Sequence, residues 1–268
     1  MNKKMPNGTK VSIQPPTSSQ IQELRHLWQN TFGDSDVFLD AFFDTAFSFN
    51  RCLCVNHNNS VVAALYWFDC TFFNQKIAYI YAIATAKAFR GQGICHSLMT
   101  HTHNHLAEQG YVGTILSPAE KSLFDFYENM GYKTYAYISE LEFSEDSIYA
   151  FEQKNIALKK ICKKEFAKLR PSFLPKHAVL QENENLDFLE TQAEFYTGNG
   201  FLLTAQTDGT HLQGIEFLGD VSIIPSILQT LHCSSGTVRT IGTEKPIGMY
   251  YSFTEDTLKP NYIGFIFD

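Results

Sequence analysis

The stretch from Ile80 to Gly93, Ile-Tyr-Ala-Ile-Ala-Thr-Ala-Lys-Ala-Phe-Arg-Gly-Gln-Gly, decides how this chain is read. The apolar run Ile77–Ala84 has the character of a strand buried on both faces. It gives way to a basic, glycine-bearing turn, Arg90-Gly91-Gln92-Gly93. Beyond the turn, Ile94, Leu98, Thr102 and Leu106 recur every fourth residue, the spacing of a helix face. A strand, a glycine turn and a helix in this order aim several backbone N–H groups and a positive helix end at one spot, which suits phosphate. A side chain at position 91 or 93 would hold a pyrophosphate away from the backbone. Taken alone, two glycines and an arginine are more simply an ordinary tight connection.

Two motifs in the right order change that balance. Arg90-x-x-Gly93-x-Cys95 resembles motif A of the GNAT acyltransferases, Arg/Gln-x-x-Gly-x-Gly/Ala, with Cys95 where the family has Gly or Ala. Leu123-Phe124-Asp125-Phe126-Tyr127-Glu128-Asn129-Met130-Gly131-Tyr132 resembles their motif B, a helix closed by Gly-Tyr or Gly-Phe. The resemblance is specific over 77–132, extends over 11–143, and is architectural after 150. It implies an α/β GNAT fold, a mixed central sheet flanked by helices, followed by a second, smaller and degenerate GNAT-like α/β domain. The polar stretch Ser144–Asn155 sets the expected division at 1–145 and 146–268.

The resemblance further implies acetyl-CoA as cosubstrate and a primary amine, on a small molecule or a protein, as acceptor. Arg90 and the turn amides of Gly91, Gln92, Gly93, Ile94 and Cys95 would hold the pyrophosphate. The backbone of Ile83, Ala84 and Thr85 would pair with the pantetheine arm as an added strand does. Tyr127 matches the family's acid, needing only to be protonated and within reach of sulfur; core packing is the alternative, which motif A upstream makes the less favoured. Two other classes stay open: a non-catalytic acyl-CoA-binding or regulatory protein, and a transferase using a non-acetyl donor.

No general base stands out, since Ile77–Thr85 carries only Tyr79, Tyr81 and Thr85 as polar side chains. The apolar ending Tyr262–Asp268 carries a carboxylate at its last position. Some tandem GNAT-like enzymes bring such a group to the active site, so Asp268 is a candidate base; an idle, solvated chain end is the plainer alternative. Asp34 and Asp36, between the first two helices, lie where the family contacts its acceptor, although a solvated helix-capping loop explains them as well.

Composition narrows the classes. An apolar fraction of 44% and an aromatic fraction of 14% exclude a disordered chain, and 268 residues suit one large or two small domains. A net charge of −7 disfavours nucleic acid as a partner. The six cysteines show no Cys-x-x-Cys pair and read as reduced thiols in a cytoplasmic protein. The polar first ten residues and the absence of a long apolar run argue against a signal peptide and a membrane span. A homo-oligomer is compatible with the composition. In His101-x-His103-x-His105 the middle residue points away from the other two, which favours a solvated histidine face over a metal site.

The remaining elements follow from periodicity and punctuation. Helices are expected from Ile21 and around Leu39–Phe47, then a hairpin turning at His57–Asn59. A helix start is expected at Ser117-Pro118-Ala119-Glu120. In the second half, helices are expected near Lys163–Arg170, Glu182–Tyr196 and Pro225–Leu231. Strands are expected over Phe201–Phe217, turning at Asp208-Gly209, and at Thr237–Ile241, Gly248–Phe253 and Tyr262–Phe267.

Overall fold

Uninterrupted apolar sequence sets the centre of the sheet that carries the glycine turn. The computed structural model describes residues 2–4, 10–152, 154–255 and 258–267, which fall into two units. The first unit comprises Met1–Leu116, Asp125–Lys133 and Tyr250–Thr257. Its elements are β1 (Asn2–Lys4), β2 (Lys10–Gln14), α1 (Ile21–Phe32), α2 (Asp36–Thr45), β3 (Cys52–His57), β4 (Ser60–Phe72), β5 (Gln75–Thr85), α3 (Ile94–Glu108) and β6 (Tyr111–Leu116). The strands lie in chain order, antiparallel except for the parallel pair β5 and β6. Two tight hairpins use left-handed residue pairs, Asn58-Asn59 and Phe73-Asn74, in which Asn tolerates the positive φ.

Helices cover both faces of this sheet. On one face, Leu24, Leu27 and Trp28 of α1 and Leu39 and Phe42 of α2 are buried. Trp28 packs on Phe42 at 4.7 Å and on Tyr66 at 5.1 Å between ring centroids. The next residue of β4, Trp67, points to the other face and meets His105 of α3 at 6.1 Å. Gly33 ends α1 in the left-handed conformation, and the Ser35 hydroxyl caps α2 by accepting the Phe38 N–H.

The second unit comprises Ser117–Phe124, Thr134–Met249 and Leu258–Asp268. In chain order its elements are α4 (Lys121–Glu128), which continues into the first unit from Asp125, β7 (Lys133–Phe143), α5 (Glu145–Tyr149), β8 (Lys159–Ile161), α6 (Lys163–Leu169), β9 (Leu180–Gln181), α7 (Glu184–Leu189), β10 (Glu194–Gly198), β11 (Phe201–Asp208), β12 (His211–Leu218), α8 (Ile224–Thr230), β13 (Ser235–Ile241) and β14 (Lys245–Ser252). The sheet order is β14-β7-β13-β12-β11-β10-β8, with β12 and β13 parallel. Its core gathers Phe201, Leu203, Phe217, Ile227, Leu228 and Val238. A mixed α/β architecture with sheets flanked by helices is therefore what the sequence folds into.

Three expected elements differ. The helix over Glu182–Tyr196 is instead the short α7 and then β10. A turn at Thr191 and Gln192 ends the helix, and the aromatic and β-branched run Phe195–Thr197 suits a strand. α4 begins at Lys121, four residues after Ser117. Tyr262–Phe267 forms no strand among the described residues: Tyr262 bridges Ala178 and its carbonyl accepts the Val179 N–H at 2.9 Å, while further on a side chain takes the backbone groups of Phe265. The Gln181 amide donates to the Phe265 carbonyl at 2.7 Å and accepts the Phe265 N–H at 2.9 Å.

Candidate functional site

β5 leaves its parallel neighbour early. It pairs with β6 over Lys76–Tyr79 and Tyr111–Ile115, whereas its pairing with β4 continues to Thr85. Between Tyr81 and Ala84 the β4–β5 register shifts by one residue, and Ala82 takes a positive φ of 46°. Such a bulge bends its strand and re-aims the backbone. Among the described residues, the edge of β5 from Ile80 to Thr85 thus has no β6 partner. Ile83 and Thr85 are half-buried there and Ala84 is buried.

The chain then makes a short turn and enters α3. Arg90 folds back, its Nε donating to the Thr85 carbonyl at 2.9 Å. Gly91 and Gly93 hold φ of 71° and 75°, the left-handed region that glycine enters without strain. Space for a side chain is open at Gly91, so its conformation, not crowding, calls for glycine. Gly93 is the N-cap of α3 and offers no side-chain cap. The first helical bond runs from Ser97 N–H to the Gly93 carbonyl, which leaves the N–H groups of Ile94, Cys95 and His96 outside the helical ladder. Exposed Arg90, Gly91 and Gly93 and half-buried Gln92 surround this end. These features fit a diphosphate held by backbone donors.

Tyr127, on the last turn of α4, is buried, with Phe126 and Tyr132 rings at 5.2 and 5.8 Å. Burial, helped by the nearby Cys95, pushes its pKa above the ordinary phenol value, so it stays protonated. Burial also raises the Cys95 thiol to about 11, which leaves it neutral. Cys95 therefore fills the space of a small residue rather than acting as a thiolate.

Behind Tyr127 lies a polar cluster that sequence patterning missed. His103 is buried and its Nε2 lies 2.8 Å from the Tyr132 hydroxyl, which is 2.7 Å from Thr114 Oγ1. The Tyr251 ring stacks on His103 at 4.3 Å. Burial, with His96 nearby, lowers the His103 pKa to about 4. Position 103 is thus a satisfied core histidine and not part of a solvated face. The flanking His101 and His105 hid it; its one signal was that it points away from them, in line with Cys95 and Met99.

The other candidates separate. Asp34 accepts the Trp28 Nε1 proton at 2.7 Å, and Asp36 accepts from Gln29 at 2.6 Å. Both are engaged in fixing the α1–α2 connection. Asp268 lies outside the described residues. All six cysteines are free thiols, and among the described residues no group of three His, Cys, Asp or Glu could hold a metal ion. No helix among them is long and apolar enough to cross a membrane.

Comparison with known proteins agrees with this geometry. The family model of the acetyltransferase (GNAT) domain matches residues 12–135. No curated protein sequence matches the chain. Among solved structures, a GCN5-related N-acetyltransferase from Kribbella flavida superposes with a TM-score of 0.70 at 14% identity, over 90% of this chain and 71% of that one. One from Anabaena variabilis ATCC 29413 gives 0.70 at 16%, over 90% and 72%. Eis1 from Mycobacterium abscessus gives 0.65 at 10%, over 90% and 73%. The chain has the α/β fold of the GNAT superfamily, and its residues 12–135 match the acetyltransferase domain of that superfamily.

Proposed function

We propose that this protein is an acyl-CoA-dependent N-acyltransferase that moves an acetyl group from acetyl-CoA to a primary amine by direct attack, with Tyr127 as general acid. The observation that carries the reading is the release of β5 from β6 beyond Tyr79, directly before the glycine turn that opens α3. An open strand edge can accept an extended pantetheine arm by backbone pairing at Ile83–Thr85. The turn after it, Arg90–Cys95, can accept the diphosphate on its free N–H groups. Acetyl-CoA supplies the activated acyl group as a thioester. Tyr127 stays protonated near neutral pH, as a group that protonates a departing thiolate must. β5 supplies no carboxylate, so in this reading the amine's proton leaves through water or to a base elsewhere in the chain, for which Asp268 is the candidate.

The second unit is read as a degenerate GNAT-like domain. It has an antiparallel hairpin, β11 and β12, then α8, then β13 parallel to β12, the order of β4, β5, α3 and β6. Two features argue against a second donor site. The β12–β13 pairing shifts register between Gly214 and Phe217 but closes again at Phe217 and Thr240, and Leu218-Gly219-Asp220-Val221 lacks the Arg-x-x-Gly turn.

The test is release of CoA from acetyl-CoA in the presence of a panel of primary amines. Turnover with acetyl-CoA supports the reading. Binding of CoA without turnover by any acyl donor supports a sensor, and turnover only with another acyl-CoA supports a different donor.

A further inference from the structure

The segment Tyr250–Thr257 belongs to the first unit although it comes late in the chain. It lies against β6. Phe253 donates its backbone N–H to the Val112 carbonyl at 2.9 Å, and the Tyr250 hydroxyl donates to the same carbonyl at 3.5 Å. The fit is close, since a Cβ on Gly113 would come 2.5 Å from both the Tyr250 ring and the Tyr251 carbonyl. From this segment the half-buried Tyr251 ring touches two elements at once. It stacks on His103 of α3 at 4.3 Å and 24°, with Phe253 behind at 5.9 Å from Tyr251 and 5.5 Å from His103. It also packs on Tyr132 at 5.4 Å, and a Cβ on Gly131 would lie 2.9 Å from its edge. Gly131 therefore answers two demands, a φ of 93° where motif B ends and the close passage of this ring.

We propose that Tyr251 is a positioning residue for the acid Tyr127: its ring, wedged against His103 on one side and Gly131-Tyr132 on the other, fixes the end of α4 relative to α3. The inference rests on the acyltransferase reading above and extends it to a residue outside both motifs. The line of contacts is short. Tyr132, against which the Tyr251 ring lies, gives its backbone N–H to the Tyr127 carbonyl at 3.1 Å and meets the Tyr127 ring at 5.8 Å. In that reading α3 opens at the turn that holds the donor, while α4 carries the group that must reach the donor's sulfur. The spacing of the two helices thus sets the proton transfer. A displacement of about 1 Å costs about 10²-fold in rate. Stacking asks for the ring of Tyr251 and not for its hydroxyl.

Three variants test this. Tyr251→Ala removes the wedge, Tyr251→Leu keeps apolar bulk without a flat ring and so protects the fold, and Tyr251→Phe keeps the ring. Initial rates are measured with acetyl-CoA and the primary amine that wild type uses fastest, in wild-type and Tyr127→Phe backgrounds, alongside calorimetric titration of CoA. Tyr251→Ala and Tyr251→Leu should each lower kcat about tenfold or more while CoA affinity stays within about threefold of wild type, and Tyr251→Phe should restore kcat. In the Tyr127→Phe background the same two substitutions should cost little further, because the residue they position is no longer an acid. Losses that multiply in the double variants, a kcat that survives both substitutions, or a CoA affinity that falls in step with kcat would each overturn the proposal and leave Tyr127 as acid. If Tyr127→Phe alone leaves kcat unchanged, or wild type turns over no amine, the acid reading and this proposal fall together.

Discussion

His103 Nε2 and the Tyr132 hydroxyl, 2.8 Å apart and both buried, join α3 to the residue that closes motif B. Tyr132 in turn donates its backbone N–H to the Tyr127 carbonyl at 3.1 Å and packs its ring edge-on against Tyr127. The helix that begins at the glycine turn is therefore tied to the tyrosine assigned as acid through one intermediate residue. Holding an acid in place through packed and hydrogen-bonded neighbours is how a site keeps its geometry.

The pH dependence of stability should report this pair. The folded pKa of His103, about 4, is below its ordinary 6.5. Between those values the unfolded chain binds a proton that the folded chain excludes, so stability falls as pH drops through that window. The slope is up to about 1.4 kcal/mol per pH unit. Urea denaturation of wild type and His103→Gln from pH 7 to pH 4 checks it. The variant should lose this part of the acid sensitivity; an unchanged slope means that His103 does not titrate on unfolding.

Tyr127→Phe should lower kcat about 10²-fold or more and leave CoA affinity nearly unchanged, because an acid acts in the transition state. Steady-state rates combined with a calorimetric titration separate the two effects. A kcat that barely moves would return Tyr127 to simple core packing.

In the second unit, Arg170 and Glu216 form a bidentate pair at 2.7 and 2.8 Å with both side chains about 1% exposed. The Tyr262 hydroxyl donates to the same carboxylate at 3.0 Å, and the Arg170 guanidinium lies over the Phe265 ring at 4.0 Å. Glu216→Ala removes the bidentate carboxylate from a buried guanidinium and should cost about 3–5 kcal/mol in denaturant unfolding. Arg170→Met with Glu216→Leu should cost much less, since replacing a whole buried pair removes the desolvation penalty together with the attraction.

Gly264 lies in the same cluster. A Cβ there would overlap the Glu216 carboxylate and come 2.6 Å from Arg170 Nη2. Gly264→Ala should therefore destabilise the protein by more than about 1 kcal/mol, measured by denaturant unfolding. A wild-type midpoint would mean that the last segment does not sit against this pair.

The features legible in the sequence are the local ones. The glycine turn, the strand before it, the helix after it and the motif B tail each lie within about a dozen residues, so periodicity and turn chemistry report them directly. Distant partners leave no such trace. His103 reads as one of three surface histidines until Tyr132 and Tyr251 are brought beside it. The ending Tyr262–Phe267 has the apolarity of a strand, but the backbone of Phe265 bonds to the side chain of Gln181. Glu182–Tyr196 has a helical composition at its start only, and the pairing of β10 with β11 overrides it beyond Thr191.

The central claim, that the turn from Arg90 to Cys95 holds the diphosphate of an acyl-CoA, is tested most directly by calorimetric titration of CoA into wild type and Gly93→Val. Gly93 has a φ of 75°, which a β-branched residue resists, and its backbone lies at the free end of α3. Wild type should bind one CoA per chain and the variant should bind it at least tenfold more weakly, with circular dichroism showing both folded. Wild-type affinity in a folded Gly93→Val protein, or no binding of CoA by wild type, would contradict the claim.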